Sequence, residues 1–318
     1  MKKILTVILV LAMVFGVGAF ATAEEWSYET PMKIGFSQNK LSVAFRVAGV
    51  EQLKAYVAEK GLNWEIIVTD GNNDASKQTS DIEDMIMQGV DAIICCPVTA
   101  DTMAPAGAIV MEAGIPFVLV NRRITSEDFT CAITGSNYMI GQLVADDMAA
   151  KLGEKGKVAL IEGTLGASDT TDRTAGFLET IAKYPDIEMV AQTSGDYVKD
   201  KGMACMEDIL MRVPDLDGVF CQNDDMAQGA YLACEAAGAT DVLIYGNDCY
   251  RSTLDMIKEG KIEGTTIYPT SVQAAVDVLI SIFENGGVYE GEKIIVQDVP
   301  LATIDNLDQY YDTLALNA

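Results

Sequence analysis

The chain after residue 23 alternates short apolar runs with helix-length segments, and this alternation constrains the fold more than any other feature. The runs are continuously apolar, which is typical of strands that are buried on both faces of a sheet. Gly61, Gly89 and Gly114 stand where the intervening helices should end. The first strands are predicted in MKIGFSQ, WEIIVTDG, VDAIICCPV and IPFVLVNR. Continuous runs joined by helices predict a parallel sheet with helices on both faces.

The same rhythm then restarts, which predicts two lobes. The second series of strands is predicted in FTCAITGSN, KVALIEGT, EMVAQTSGDY, LDGVFCQND and DVLIYGND. The last apolar segments, IEGTTIYP and KIIVQDVPLATI, are too few for a third domain and are expected to cross back and complete the first two sheets. We therefore predict an α/β fold of two doubly wound parallel-sheet lobes with a multi-strand hinge: residues 24–135 with 267–296, and residues 136–266 with 297–318.

Residues 1–23 have the pattern of an export signal. Lys2 and Lys3 precede the apolar run 4–20, and small residues at 21–23 supply a cleavage position. We expect cleavage after Ala23 and a periplasmic location; an uncleaved anchor is the alternative, since the run is nearly long enough to span a bilayer. A lipid anchor is not expected, because no cysteine directly follows the apolar run.

Charge and composition exclude several classes of function. The formal charge of −25 argues against nucleic acid and anionic lipid as partners, because their phosphates require a basic surface. The chain has no histidine, which removes His-based triads and the commonest zinc ligand. Seven cysteines without a CxxC spacing do not suggest a disulfide framework, and Cys95 and Cys96 are expected to lie in a buried strand. We expect no metal and no cofactor.

Polar residues collect where the predicted strands end. In parallel α/β sheets, ligands bind outside the carboxyl ends of the strands. These ends read FSQNK, TDGNND, PVTAD, VNRRI, EGTLGASDTTDR, SGDYVKD, CQNDD and YGNDCY. Carboxylate, amide and guanidinium groups pair with hydroxyls, and the nearby rings of Phe45 and Tyr197 suit the C–H face of a sugar. The pattern predicts a polyol site shared by two lobes.

The stretch VFCQNDDMAQGA contains both a candidate ligand residue and a helix cap. We expect Asp224 or Asp225 to cap the helix that begins near Met226, and Asn223 to face the ligand. Asn72, Asn73 and Asp74 are interpreted as a turn and a cap, outside the site.

Taken together and in order, the motifs IGFSQ, QGVDAIICCPV, GIPFVLVNR, IEGTLGASDTTDRTAGF, SGDYVKDKG and QNDDMAQGA resemble the exported sugar-binding proteins of ABC transporters, of the ribose/galactose type. The resemblance covers essentially the whole mature chain and implies the type I periplasmic-binding-protein fold. SQNKLSVAFR is similar to the first loop of the galactofuranose-binding branch, which ends in an aromatic residue followed by arginine.

The resemblance implies roles for nine residues. Phe45 would stack on the sugar and Arg46 would donate to it. The other implied contacts are Asn121, Arg122, Arg173, Tyr197, Asn223, Asp248 and, near the hinge, Thr266. The family often has aspartate where Asn121 stands, which implies a different hydroxyl specificity. Cys249 replaces the usual small residue after the carboxylate and is expected to narrow the pocket wall.

The implied function is that of a monomeric transport receptor, without enzymatic activity, that closes on a small monosaccharide, such as a furanose, and delivers it to a membrane permease. One alternative keeps the receptor but changes the ligand to a cyclitol or a furanosyl signalling molecule, with a chemoreceptor as partner. A second alternative is a small-glycoside hydrolase, since the sequence leaves open whether Asp225 faces Asp248.

The export signal leads to a first testable expectation. Protein recovered from the periplasm of an expressing cell should begin at Glu24, because the small residues 21–23 match the signal-peptidase site. N-terminal sequencing measures this directly. Recovery of a membrane-bound chain that retains residues 1–23 would favour the anchor instead.

Overall fold

The computed structural model describes residues 26–312 and Leu316, so the predicted signal at residues 1–23 lies outside the described residues. Within the described part, strands and helices alternate along the chain. The strands are β1 Met32–Gln38, β2 Trp64–Asp70, β3 Ala92–Cys95, β4 Phe117–Val120, β5 Cys131–Gly135, β6 Lys155–Glu162, β7 Asp186–Ser194, β8 Gly218–Cys221, β9 Leu243–Asn247, β10 Gly264–Thr266, β11 Ile294–Gln297 and β12 Leu301–Thr303. The helices are α1 Ala44–Glu59, α2 Ala75–Met87, α3 Ala104–Glu112, α4 Asn137–Lys151, α5 Ser168–Ile181, α6 Lys199–Arg212, α7 Asp224–Ala237, α8 Arg251–Lys258 and α9 Val272–Glu284, with a 3₁₀ turn at Leu307–Gln309.

The strands form two six-stranded sheets. Their orders are β11-β5-β4-β3-β1-β2 and β12-β10-β9-β8-β6-β7. All the pairings are parallel except that of β12 with β10. The predicted fold class, two doubly wound α/β sheets, is therefore confirmed. The last segments do cross back, since β11 joins the first sheet and β10 and β12 join the second.

The antiparallel edge strand β12 follows from the path of the chain. β11 ends at the carboxyl edge of the first sheet, and three residues later the chain enters the second sheet as β12. The carboxyl edges of the two sheets face each other, so a chain that crosses directly enters the second sheet from that edge. It must then run against the other strands.

Each sheet is buried on both faces, as the continuous apolar runs predicted. In β4, Val118 and Val120 belong to one core cluster and Phe117 and Leu119 to another. This division follows from the period of two along a strand. Cys95 and Cys96 are fully buried, as predicted.

The chain passes between the sheets three times, after β5, after β10 and after β11. The lobe boundaries predicted from the sequence, at 135/136, 266/267 and 296/297, stay a prediction. Among the helices at residues 26–312, none is long and apolar enough to cross a membrane.

Helices α4 and α5 approach each other through two glycines. A Cβ atom on Gly176 would lie 2.0 Å from the carbonyl oxygen of Tyr138, and one on Gly141 would lie 2.3 Å from the carbonyl oxygen of Arg173. These distances are far below van der Waals contact, so the two glycines set how closely α5, and with it Arg173, lies against α4.

Gly176→Ala tests this close approach. Helix propensity alone would stabilise the variant by about 1 kcal/mol, whereas the steric conflict with backbone should destabilise it by about 1–3 kcal/mol. We expect a net loss of unfolding free energy in urea titrations. Gly49→Ala in α1 is the matched control. Its Cβ would meet nothing closer than 3.7 Å, so the higher helix propensity of alanine should stabilise this variant. Equal effects of the two variants would contradict the packing argument.

Candidate functional site

The carboxyl edges of the two sheets enclose a small cavity. The cavity is lined by Asn39, Lys40, Val43, Phe45, Arg46, Arg122, Asp169, Arg173, Tyr197, Asn223, Asp248 and Tyr268. Its wall is therefore polar and charged, with three aromatic side chains, and both halves of the molecule contribute to it.

Seven of the nine residues predicted from the sequence line this cavity. They are Phe45, Arg46, Arg122, Arg173, Tyr197, Asn223 and Asp248. The fold thus brings together side chains that are about two hundred residues apart in the chain. Asn121 and Thr266 do not line the cavity.

Asn121 lies directly behind Arg46. Its Oδ1 accepts a 2.7 Å hydrogen bond from Nη1 of Arg46, and its Nδ2 donates to the carbonyl oxygen of Pro269 at 2.9 Å. The amide therefore orients the arginine and ties it to the segment that follows β10. Asn121 itself has a φ of +62°, in the left-handed region that asparagine tolerates better than most residues.

Thr266 ends β10 and lies behind Asp248. Its hydroxyl donates to Oδ1 of Asn247, and its carbonyl oxygen accepts a 3.0 Å bond from the amide of Asp248. Two residues further on, Tyr268 lines the cavity and was missed from the sequence. The feature that could have identified Tyr268 is the aromatic residue of the stretch IYP, which directly follows strand β10.

Arg122 and Asp169 form a buried ion pair between the end of β4 and the start of α5. Nε of Arg122 lies 3.1 Å from both carboxylate oxygens, and the two side chains are 1% and 3% exposed. Nη1 of Arg122 also donates to the carbonyl oxygens of Pro97 and Val98. Burial raises the pKa of Asp169, but the charges of the arginines outweigh it and hold the pKa below its usual value.

Asp169 was not predicted as a site residue, although ASDTTDR stood among the strand ends. The sequence could not show which of its polar residues, one turn of helix apart, points toward the cavity. Arg123, by contrast, is half-exposed and pairs with Asp172, in line with the expectation that Arg122 lies nearer the strand.

Arg173 is held by neutral partners. Its Nε donates to Oδ1 of Asn137 at 2.9 Å and its Nη1 to the carbonyl oxygen of Gln222 at 2.7 Å. The guanidinium lies 4.6 Å from the ring centre of Tyr268 and 6.0 Å from that of Tyr197. These contacts fix the arginine without neutralising it.

Tyr197 packs directly on the backbone of Gly163, where a Cβ atom would fall 1.9 Å from the ring. Its hydroxyl shares a 2.9 Å hydrogen bond with the hydroxyl of Thr170. The glycine after β6 is therefore what allows an aromatic wall at this point of the cavity.

The predicted cap of α7 was wrong. The helix begins at Asp224, and Asn223 is the N-cap residue: its Oδ1 accepts a 3.0 Å hydrogen bond from the amide of Met226. Asp224 instead accepts from the amide of Tyr250 and the hydroxyl of Thr265 in the core. The helix starts earlier than expected because Asn223 is already extended, with φ −156°. Asn223 still lines the cavity, so capping and cavity lining coincide in one residue.

Asp74 caps α2 and Asn72 and Asn73 lie in the preceding turn, as predicted. Cys249, which with Asn121 departs from the family pattern, is fully buried in a core cluster of the second sheet and does not line the cavity.

Two buried acids of the second lobe have raised pKa values. Burial raises the pKa of Asp224 to about 6, although its hydrogen bonds oppose this. Burial, with the neighbouring charge of Asp224, also raises the pKa of Asp248 well above its usual value, and Arg173 only partly offsets the effect. The groups of His, Cys, Asp and Glu in the described chain include none that could hold a metal ion.

Two α/β lobes whose facing sheet edges enclose one polar cavity are the arrangement typical of solute-binding proteins. Residues 34–308 match the model of the periplasmic binding protein domain family, and the chain belongs to this family. It is 31% identical over 301 residues to a xylitol-binding protein of Mycolicibacterium smegmatis, which covers 93% of this chain and 84% of that protein. It is 32% identical over 291 residues to the ribose import binding protein of Bacillus subtilis, which covers 88% of this chain and 94% of that protein.

Among solved structures, a galactofuranose-binding protein superposes with a TM-score of 0.84 at 26% identity, covering 89% of this chain and 98% of that one. The predicted resemblance to sugar-binding proteins of the ribose type is confirmed. The similar identities to proteins named for xylitol and ribose do not single out the galactofuranose branch.

The raised pKa of Asp224 predicts a pH dependence of stability. Between its ordinary value of 3.8 and about 6, the folded state holds a proton that the unfolded state has released. This acid therefore stabilises the fold at low pH, and the contribution, roughly 3 kcal/mol, is lost as the pH rises through about 6. Asp224→Asn should remove this component from unfolding free energies measured between pH 4 and pH 7. The exposed Asp186→Asn is the control, and a pH profile of Asp224→Asn parallel to that of the unmodified protein would contradict the assignment.

Proposed function

We propose that the chain is the exported solute-binding protein of an ABC sugar importer and that it binds one monosaccharide between its two lobes. The observation that carries the proposal is the cavity, in which guanidinium, carboxylate and amide groups from both sheet edges surround a single space with aromatic walls. Such groups pair with hydroxyls. Relatives named for xylitol, ribose and galactofuranose support a small polyhydroxylated ligand.

Each lobe has its own part in binding. From the first lobe, Phe45 stacks on the sugar ring, and Arg46 and Arg122 donate to ring hydroxyls. The second lobe supplies Arg173, Tyr197, Asn223 and Asp248. Asn121 acts through Arg46, and Thr266 supports the backbone of Asp248. Because the sugar contacts both lobes only when they are together, it shifts the population toward the closed form.

The closed, sugar-loaded form is what a membrane permease recognises. In this proposal the chain is a periplasmic monomer released by signal cleavage, its ligand is a small monosaccharide such as a furanose, and it performs no catalysis. A receptor for a cyclitol or a furanosyl signal that reports to a chemoreceptor is the alternative, and it uses the same cavity.

A thermal-shift screen over pentoses, hexoses, furanose-rich sugars and cyclitols tests the proposal, since ligand binding raises the melting temperature by mass action. We expect one ligand class to stand out and to be recovered with unchanged mass. Turnover of a nitrophenyl glycoside would favour the hydrolase alternative. No shift with any member of the screen or with the acids named below would contradict sugar binding.

With the best ligand in hand, Arg173→Ala and Asp248→Ala should each weaken binding at least tenfold. Hydrogen bonds to charged groups contribute about 1.5–3 kcal/mol, and about 1.4 kcal/mol is one decade of affinity. Isothermal titration measures the change, and the exposed Arg212→Ala is the control for loss of an arginine. Unchanged affinity in both cavity variants would place the ligand elsewhere.

A further inference from the structure

Asn39 has a buried amide that has no hydrogen-bond partner among the described residues. It follows β1 at the sheet edge and lines the cavity, and the residue is 1% exposed. Neither its Oδ1 nor its Nδ2 makes a hydrogen bond within the described chain. Buried polar side chains in folded proteins are almost always paired. The amide therefore offers one donor and one acceptor to whatever enters the cavity.

The next residue, Lys40, is a buried cation that is only partly neutralised. It is 5% exposed, and its Nζ donates to the carbonyl oxygen of Asp196 at 2.7 Å, while the nearest carboxylate oxygen of Asp196 is 3.7 Å away. That carboxylate already accepts hydrogen bonds from Thr164 and Lys201. Burial lowers the pKa of Lys40, with Asp196 opposing and the positive charges of Arg122 and Arg46 assisting.

The side chains that line the cavity include more cationic than acidic groups. Four of its lining residues are cationic, Lys40, Arg46, Arg122 and Arg173, and two are acidic, Asp169 and Asp248. Arg122 forms an ion pair with Asp169, but Arg46 and Arg173 donate hydrogen bonds to neutral oxygens. An excess of buried cations in a chain of formal charge −25 is costly unless an anion compensates it.

We propose that the ligand is a carboxylated monosaccharide, an aldonate or a uronate, whose carboxylate binds where Asn39, Lys40 and Arg46 line the cavity. The inference rests on the proposed function and narrows its substrate class. An ammonium and a guanidinium fork both suit a carboxylate. The amide of Asn39, with both a donor and an acceptor, suits the hydroxyl next to that carboxylate.

Matched neutral and acidic sugars test the charge of the ligand. The pairs are D-galactose and D-galacturonate, D-glucose and D-glucuronate, and D-ribose and D-ribonate, with D-galactose 6-phosphate as a second anion, all titrated at pH 7 and constant ionic strength. We expect at least one acid to bind tenfold or more tightly than its neutral partner. Lys40→Gln should lower the ratio of that acid's affinity to its neutral partner's affinity about tenfold, because the ratio cancels any effect of the lost Lys40–Asp196 contact on closure. The exposed Lys183→Gln is the control.

Asn39→Asp is a second, nearly isosteric variant, useful if Lys40→Gln fails to fold. A carboxylate beside Lys40 would neutralise this part of the cavity wall and repel an acidic ligand, so the ratio of acid to neutral affinity should fall at least tenfold. Circular dichroism verifies the fold of each variant.

The outcomes separate the two proposals. Tight binding of a neutral sugar with tenfold weaker binding of its acid overturns the carboxylate inference and leaves the proposed sugar receptor intact. Preference for the phosphate ester over every acid overturns the carboxylate but retains an anionic ligand. Absence of binding by any of these compounds or by any sugar of the thermal-shift screen contradicts both proposals.

Discussion

A buried ion pair between Arg122 and Asp169 joins the two halves of the molecule at the cavity. One partner ends a strand of the first sheet, the other begins a helix of the second lobe, and both are buried. Removing one member of such a pair typically costs about 3–5 kcal/mol, because the remaining charge is left unpaired. Weaker links lie around it, including the hydrogen bond from Lys40 to the carbonyl oxygen of Asp196.

A layer of neutral amides holds the other arginines in place. Asn121 orients Arg46, and Asn137 orients Arg173 with help from the carbonyl oxygen of Gln222. Amides satisfy guanidinium donors without cancelling their charge. The cavity therefore keeps its arginines both rigid and electrostatically available, which is what a preorganised site for an oxygen-rich ligand requires. The close approach of α4 and α5 through glycine supports the same arrangement, since Asn137 and Arg173 lie on these two helices.

Much of the candidate site could be predicted, because a simple rule of parallel sheets places strand ends together. The rule indicates the polar segments at the sheet edges, and the resemblance to sugar-binding proteins implies Phe45, Arg122, Arg173, Tyr197 and Asp248 as contacts. The structure places these five residues around one cavity.

The cavity residues that the sequence did not identify have a common explanation. Asp169 and Tyr268 lie on a helix start and a hinge segment, where direction depends on how the lobes meet. Asn39 and Lys40 stood in the predicted list of strand ends, but nothing in the sequence distinguished them from Gln38. Asn121, which the resemblance implies as a sugar contact, lies behind Arg46 and does not line the cavity.

What the sequence by itself determined is the architecture. Continuous apolar runs and helix-length spacers predict parallel strands buried on both faces, and the restart of the rhythm predicts two such sheets, because strands apolar on both sides need cover on each face. The tertiary structure alone decided which polar side chain is paired and which is free. Whether Asp169 neutralises Arg122, or whether the amide of Asn39 is left without a partner, depends on distances across the cleft between segments far apart in the chain. Hydrogen bonds and ion pairs are short-ranged, so these outcomes are set only when the two sheet edges meet.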